Sequence, residues 1–281
     1  MIIRDLPIHE YHADTRYTSH SRIRDFIERG AKYYFQRHIA RDLEQEPSDA
    51  LTFGQAFETL YQQGIEAFRR TYAVKPRGLD GRTKEGRAWL TSAATATILS
   101  DEDWGHMGLM LQSLREDLCD KAKRLVSQAE QQVTLRGELS GLAVQARPDW
   151  VCLDEIAPYT VDLKTTKNMG DLLQGEDRTG ASLARLGYHT QAALASALLA
   201  QNGLPHARAY LLVVEKQPSY RAELLDITDH VTWGLASLSR HLPALRRCQE
   251  SGLWPASSGD VVKLRLPRYA EQDIAAAAAA Q

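Results

Sequence analysis

Cysteine is scarce in this sequence, and long apolar runs are absent from it. The chain has three cysteines, at positions 119, 152 and 248. An odd and scattered set of three fits a reducing compartment and excludes a four-cysteine iron–sulfur cluster built within the chain. No stretch approaches the roughly eighteen apolar residues of a membrane-spanning helix, and the first residues show no signal-peptide pattern. We therefore expect a cytoplasmic protein with no membrane partner.

A strong excess of positive charge is missing as well. The sequence has 34 Lys and Arg residues against 36 Asp and Glu residues, so its formal net charge is −2 at pH 7. Any surface that binds phosphate groups must then be local, with acidic residues elsewhere balancing it. The hydrophobic fraction of 43% and the charged fraction of 25% are those of an ordinary soluble protein.

The residues with the most chemical content lie between Glu138 and Lys167, where acidic side chains stand in apolar surroundings. Successive side chains of a strand point to opposite faces. In the predicted strand over residues 159–166, Asp162 and Lys164 therefore share one face. Asp149 lies in the preceding β-rich run, beyond a short turn. The pattern predicts that two carboxylates and one ammonium group meet at a single point.

A plainer interpretation of the Asp-x-Lys pattern is a solvated pair with a weak salt bridge. Two features favour a functional site instead. An unpaired carboxylate at Asp149 would be costly inside an apolar strand, and no loop signal surrounds Asp162. Carboxylates hold a hard cation through oxygen, and a lysine can position or polarise an attacking water. This combination suits a magnesium-dependent phosphodiesterase.

Two motifs carry a resemblance to a known superfamily. RPDW at 147–150 and VDLKTTK at 161–167 resemble the core motif of PD-(D/E)xK nucleases, with Asp162 at the variable acidic position. The sequence is similar to the branch that contains the nuclease domain of exonuclease VIII (RecE), with RecB-type and lambda-exonuclease nucleases as more distant kin. The likeness extends over most of the chain, through the segments TSHSRIRDF, FGQAFETL, DGRTKEGRAW and GYHTQAALAS.

The resemblance implies a metal site. In the helix that contains FGQAFETL, Glu58 stands where the family has a metal-reaching His or acidic residue; a surface glutamate on an amphipathic helix is the alternative. Glu58, Asp149, Asp162 and the backbone carbonyl of Leu163 are the implied ligands. Hard, anionic oxygen ligands suit Mg²⁺, with Mn²⁺ as a substitute.

The resemblance also implies roles for residues around the metal. Lys164 is expected to activate the attacking water. Tyr188 and Gln191 lie one helical turn apart and are expected to support the active site and the DNA, although Tyr188 could instead be an ordinary core residue. A further carboxylate could come from Glu130 or Glu138, with Glu130 the better match to the family.

One local basic segment, residues 75–87, is a candidate DNA contact. It has five basic residues and two acidic ones, an excess of three positive charges. Its glycines permit close backbone approach, but a flexible charged surface loop is the alternative. The predicted DNA-binding residues are Lys75, Arg77, Arg82, Lys84 and Arg87.

The order of predicted elements indicates a single α/β domain over residues 1–270, with a mixed central β-sheet flanked by helices, like the restriction-endonuclease core. The predicted parts, in chain order, are an irregular arm over 1–17, a helical part over about 18–128, a catalytic core over about 129–250 and a tail over 271–281. The first helix is expected to be capped within 18–21 and to run to about His38.

The resemblance implies a Mg²⁺-dependent exonuclease of phage recombination that digests linear double-stranded DNA from its ends, with 5′–3′ polarity. It also implies a homo-oligomeric ring of three or four subunits and a single-strand annealing protein as partner. Two alternatives stay open. One is a structure-specific or single-strand endonuclease of the same superfamily, and the other is an inactive DNA-binding relative. The intact Asp149, Asp162 and Lys164 argue against the second.

Overall fold

The computed structural model describes residues 1–43, 48–173 and 183–257, together with residues 259, 261 and 263. The tail expected over 271–281 lies outside these residues. The fold class expected from the sequence is confirmed, because a mixed β-sheet is flanked by helices. Within the described ranges, no helix is both long and apolar enough to cross a membrane.

The described helices are distributed along the whole chain. They are α1 (Ile8–Ala13), α2 (His20–Arg29), α3 (Ala31–Tyr34), α4 (Asp49–Gln63), α5 (Ile65–Thr71), α6 (Lys84–Ser92), α7 (Asp101–Glu116), α8 (Asp120–Gln128), α9 (Gly170–Leu173), α10 (Tyr188–Gln201) and α11 (Val231–Ser251). The strands are β1 (Ile2–Ile3), β2 (Thr18–Ser19), β3 (Tyr72–Val74), β4 (Thr97–Leu99), β5 (Glu130–Gln131), β6 (Thr134–Leu139), β7 (Leu142–Ala146), β8 (Trp150–Cys152), β9 (Tyr159–Thr166), β10 (Arg208–Glu215) and β11 (Ala222–Asp226).

The central sheet has five strands in the order β11-β10-β9-β8-β5. Strands β9 and β10 are parallel, with Asp162 opposite Leu211, and the other pairs are antiparallel. A parallel pair needs a crossover connection, and α10 lies within the one between β9 and β10. Strand β9 therefore lies in the middle of the sheet, with strands on both sides and helices on both faces.

The two faces of the central sheet belong to different parts of the core. On one face, Val161 and Leu163 of β9 pack in a cluster with Phe57 of α4. On the other face, small residues of α10, Ala192 and Ala195, pack in a cluster that includes alternate residues of β10. Full burial of a side chain such as Phe57 contributes roughly 1.5–3 kcal/mol. Helices α4 and α10 are thereby fixed on opposite faces of β9.

The N-terminal part departs from the sequence-based expectation. Residues 1–17, predicted to be irregular, contain β1 and α1, and β1 pairs with β6 in a separate four-stranded sheet of order β1-β6-β7-β2. Strands β3 and β4 form a two-stranded ribbon. The first helix begins only at His20 and ends at Arg29, because Gly30 has a φ of 86° that a continuing helix does not allow. The helix predicted to run to His38 is therefore interrupted at Gly30, and α3 with a π-helix over Phe35–Ala40 carries the helical segment on to Ala40.

Candidate active site

Strand β9 presents the acidic and basic residues of the site on one face. Asp162 is only 5% exposed, and the Lys164 Nζ atom lies 3.9 Å from Asp162 Oδ1. Val161 and Leu163 point to the opposite face and are buried in the core. The alternation expected from the sequence thus holds in the structure, and it directs an ion pair into the interior next to α10.

Asp149 occupies the point at which the ladder between β8 and β9 ends. The last paired residues are Trp150 and Val161. If the register continued, Asp149 would lie opposite Asp162, and Pro148 and Leu163 would form the next hydrogen-bonded pair. Proline, however, has no N–H to donate. Asp149 instead uses its side chain, and its Oδ2 atom accepts the Leu163 N–H at 2.6 Å. The proline therefore ends the strand pairing, and a carboxylate takes over one of the ladder bonds.

The Leu163 carbonyl points toward the same gap. The N–H of Lys216, the residue after β10, donates to Thr166 O at 2.9 Å, so the even-numbered peptide groups of β9 face β10. The peptide groups of Leu163 must then face the β8 side. On that side Pro148 offers no donor, so the Leu163 carbonyl and the Asp149 carboxylate share the region beyond the end of β8.

Helix α4 brings Glu58 to this region. Its first turn is capped by Ser48, whose side chain accepts the Leu51 N–H at 3.3 Å. The Glu58 carboxyl group lies close enough to Asp149 for that carboxylate to act on its pKa. Burial, followed by repulsion from Asp149, raises the pKa of Glu58 to about 8, although Lys164 opposes the shift. Without a bound cation, Glu58 is therefore largely protonated at neutral pH.

The pKa values of Asp162 and Lys164 are also shifted by burial and by the other charges of the cluster. Burial raises the pKa of Asp162 to about 6, with Asp149 adding to the shift and Lys164 opposing it. Burial alone would lower the pKa of Lys164, but attraction to Asp162 and Asp149 raises it overall. One ammonium group thus faces three carboxyl groups. The negative excess is what a bound cation would relieve.

The donor set fits a hard divalent cation in its chemistry. In the described ranges no three His, Cys, Asp or Glu side chains are already arranged as a metal cage. Asp149 accepts from the Leu163 N–H, and Asp162 accepts from Gln191. Three carboxyl groups and a backbone carbonyl are nevertheless the oxygen ligands that Mg²⁺ or Mn²⁺ prefers, and no soft ligand competes with them among these groups.

Helix α10 contributes the two residues predicted from its Tyr-x-x-Gln pattern. Gln191 Nε2 donates to Asp162 Oδ1 at 3.0 Å. The Lys164 Nζ atom lies 5.3 Å from the centre of the Tyr188 ring, within the range of a cation–π contact. The helix therefore holds both members of the Asp-x-Lys pair from the same side.

Neither additional glutamate joins the cluster. The Glu130 carboxylate accepts two hydrogen bonds from Arg4, at 2.5 and 2.9 Å. This hydrogen bonding is the main reason that the pKa of Glu130 is lowered. Glu138 is exposed on β6, in the other sheet. Among the charged groups that shift the pKa values of Glu58 and Asp162, neither glutamate appears.

The basic segment 75–87 lies apart from the catalytic residues. Arg82 forms an ion pair with Asp80 at 2.9 Å, so part of the positive excess is neutralised locally. Lys75 and Arg77 line a groove of about 870 Å³ whose other side carries acidic residues of α7. Helix α6 begins inside the segment, at Lys84.

Several residues near the site gave no sequence signal. A cavity of about 250 Å³ adjoins Asp162 and Gln191, and its wall also contains Tyr11, His20 and Arg147. Burial lowers the pKa of His20 to about 3, so its imidazole is neutral. Tyr11 and His20 are more than a hundred positions from Asp162 in the sequence, so no local spacing could place them at the site.

Gln132 forms a second support that the sequence did not reveal. It has a φ of 58°, in the left-handed region that non-glycine residues rarely adopt. Its N–H donates to Asp149 O at 3.1 Å, and its side chain donates to Gln62 Oε1 at 2.6 Å and accepts from Arg147 Nε at 2.9 Å. Gln62 lies one turn after Glu58 on α4. Gln132 thus ties the two carboxylate-bearing segments together.

Comparison with known proteins supports the same fold. The crystal structure of a candidate exonuclease from Eubacterium rectale is 18% identical, has a TM-score of 0.65, and the match covers 98% of this chain and 99% of that one. At this identity the likeness shows the fold alone. The structure of SSO0001 matches at 14% identity over 90% and 98% of the two chains, with a TM-score of 0.28 that supports no argument. No curated protein matches the sequence.

A family match covers most of the chain. Residues 19–267 match the family described as a PDDEXK-like domain of unknown function (DUF3799). This match includes every residue of the cluster formed by Glu58, Asp149, Asp162 and Lys164. The resemblance to the PD-(D/E)xK superfamily is confirmed by it and by the shared fold. The chain belongs to this PDDEXK-like family.

Proposed function

We propose that this protein is a divalent-metal-dependent deoxyribonuclease that hydrolyses phosphodiester bonds from the ends of linear duplex DNA. The observation that supports this most directly is the meeting of Asp149, Asp162 and Lys164 where the β8–β9 ladder stops. The family match and the fold shared with a candidate exonuclease support it further. Because the acidic residues and the lysine are all present and are buried or half-buried, an active enzyme is favoured over an inactive relative.

Lys164 orients and activates the attacking water. Its raised pKa keeps it protonated, and Asp162 at 3.9 Å and the Tyr188 ring at 5.3 Å restrict the position of its Nζ atom. A fixed ammonium group can hold the water oxygen and stabilise the charge that develops on the phosphate. The water oxygen forms the new bond to phosphorus, and the P–O bond to the leaving nucleotide breaks.

Glu58, Asp149, Asp162 and the Leu163 carbonyl would hold the metal. A divalent ion, when bound there, polarises the phosphoryl oxygen and lowers the pKa of a coordinated water. Mg²⁺ is the expected ion, with Mn²⁺ as a substitute. Gln191 keeps Asp162 in place through its 3.0 Å hydrogen bond, and Gln132 keeps the backbone of Asp149 in place.

The finer features of the proposal rest on the resemblance to the RecE branch. Digestion proceeds 5′–3′ from each end and leaves a single strand for annealing by a partner protein. A ring of three or four subunits keeps the enzyme on its substrate. The basic residues of segment 75–87 contact the DNA backbone, with Lys75, Arg77, Lys84 and Arg87 contributing more than the ion-paired Arg82.

Digestion of end-labelled linear duplex DNA, compared with closed circular DNA of the same sequence, tests this function. With Mg²⁺ we expect loss of the linear substrate only, with the 5′ label released first. With excess EDTA we expect no digestion of either. Cutting of closed circles would identify an endonuclease instead, and activity that persists in EDTA would exclude the metal mechanism.

A further inference from the structure

Two open grooves meet on the side of the molecule that carries α5 and α7. One, of about 670 Å³, runs along α5 and β3, and the other, of about 580 Å³, lies between α4 and α7. They share Ile65 and Trp104 in their walls, so they are neighbours on the surface. We call the two together the α5–α7 groove. Each part has a volume in the range that encloses a small organic ligand.

Half-buried aromatic rings line this groove. Trp104 rests on Phe68, with ring centres 5.2 Å apart, and it lines both parts of the groove. Trp89 of α6 lines the larger part and is half-buried. Tyr61 lines the smaller part. Indole rings fixed in an open groove provide flat surfaces on which nucleobases stack with little dependence on sequence.

The charge of the groove is positive, in contrast to the chain as a whole. Arg69, Arg70 and Arg115 line it, and all three side chains are exposed. Arg69 makes a 3.4 Å contact with the exposed Glu66, which is a weak surface pair. Asp101 is the acidic residue at the far end of the larger part. Three guanidinium groups beside aromatic rings favour a polyanion with planar groups, and they disfavour an apolar peptide.

The near end of the groove adjoins the catalytic cluster. Tyr61 lies three positions after Glu58 on α4, so the two side chains occupy neighbouring positions on one face of the helix. The Tyr61 ring also meets the edge of Trp150, the residue after Asp149, with ring centres 5.8 Å apart. Tyr61 thus links the lining of the groove to the catalytic cluster.

We propose that the α5–α7 groove binds single-stranded DNA and guides the strand that the nuclease leaves intact. This inference rests on the proposed function for the identity of the strand, whereas the binding itself does not require catalysis. Trp89 and Trp104 stack on the bases, and Arg69, Arg70 and Arg115 contact the phosphates. The groove is separate from the residues that hold the metal and activate water.

Fluorescence anisotropy of a labelled oligothymidine of about 20 nucleotides, measured in EDTA, tests the groove. Trp89→Ala should weaken binding about 10-fold with little change in salt dependence, because it removes a stacking surface. Arg69→Ala with Arg70→Ala should reduce the slope of log affinity against log salt by about 1.4, since each phosphate contact on a single strand contributes about 0.7. These exposed or half-buried positions are chosen in place of Trp104, whose packing on Phe68 makes it a risk to folding.

Matched controls come from α11, on the opposite face of the central sheet. Trp233 is 72% exposed, and Trp233→Ala should bind the oligonucleotide like the wild type. Arg240→Ala with Arg247→Ala is the corresponding control for charge. Unchanged binding by the groove variants, or equal losses in the controls, would overturn the proposal. The binding assay contains no metal, so it does not depend on catalysis. If the wild type fails to cleave linear DNA in the separate digestion assay with Mg²⁺, the proposed function is refuted, and the binding assay still tests the groove.

Discussion

At the scale of single residues, the chemistry of the site depends on the charge of Lys164. Replacement by alanine should lower the rate of DNA hydrolysis on the order of 10²-fold or more, as expected for loss of one preorganised electrostatic group. DNA affinity and melting temperature in Mg²⁺ should change little. Lys167→Ala is the matched control, since Lys167 lies on the same segment but is exposed. If Lys164→Ala unfolds the protein, Lys164 is structural and its assigned role is wrong.

Glu58 makes the stability of the metal-free protein depend on pH. Its pKa is about 8 in the folded protein against an ordinary value of 4.5, so folding takes up a proton between these values. The contribution of this proton to the free energy of unfolding is fully present below pH 4.5 and is lost as the pH rises through 8. Asp162, with a pKa of about 6, adds a loss of the same sign at lower pH. The window above pH 6 therefore reports mainly on Glu58.

Melting temperatures in EDTA from pH 5 to pH 9 test this dependence. Glu58→Gln should lack the loss above pH 6 and should exceed the wild type at pH 8.5 by about 2–4 °C, the shift that 1 kcal/mol gives in a protein of this size. Glu85→Gln, at an exposed position on α6, should follow the wild-type profile. A Glu58→Gln profile parallel to that of the wild type would show that Glu58 does not carry the shifted proton.

At the scale of elements, the site depends on how α4 and the end of β8 are joined through Gln132. We expect Gln132→Ala to reduce Mn²⁺ affinity about 10-fold, the range for loss of a residue that supports metal ligands. Circular dichroism should show the helices intact. Gln132→Gly separates the two parts of the residue's role, because glycine adopts the φ of 58° freely but lacks the side chain. Equal losses of Mn²⁺ affinity in both variants support the side-chain role, whereas wild-type Mn²⁺ affinity in Gln132→Gly contradicts it.

The sequence could predict β9 and its ion pair because a long central strand has a clear two-residue period. Asp162 and Lys164 followed from that period, whereas the roles of Glu58 and Gln191 were expected from the resemblance to PD-(D/E)xK nucleases. Two-residue strands such as β1 and β2 have no period to detect, and their pairing partners lie over a hundred positions away. Gln132 could not be predicted either, since its role depends on a left-handed backbone and on contacts with Gln62 of α4 and with Arg147 and Asp149 of the segment between β7 and β8.

At the scale of the whole molecule, the single domain over residues 1–270 and the ring remain predictions. A chain with a net charge of −2 gains little non-specific affinity from phosphates, so a processive nuclease needs another means of staying on DNA. A closed ring of identical subunits supplies it. Light scattering at micromolar concentration should give three or four times the 31.5 kDa of one chain. A monomer that digests single DNA molecules without interruption would refute the ring and leave the chemistry intact.

The pairing of β1 with β6 also constrains how the protein is made. Ile2 and Ile3 have their partners at Leu135 and Thr134, so β1 cannot pair until the ribosome has synthesised more than 130 further residues. At about 5–20 residues per second, this leaves the first strand unpaired for roughly 7–27 s. Nascent chains arrested before residue 134 should be cut by proteases within residues 1–17, whereas chains arrested well beyond β7 should resist. Until β6 has been synthesised, Ile2 and Ile3 lack the strand partners that they have in the folded protein.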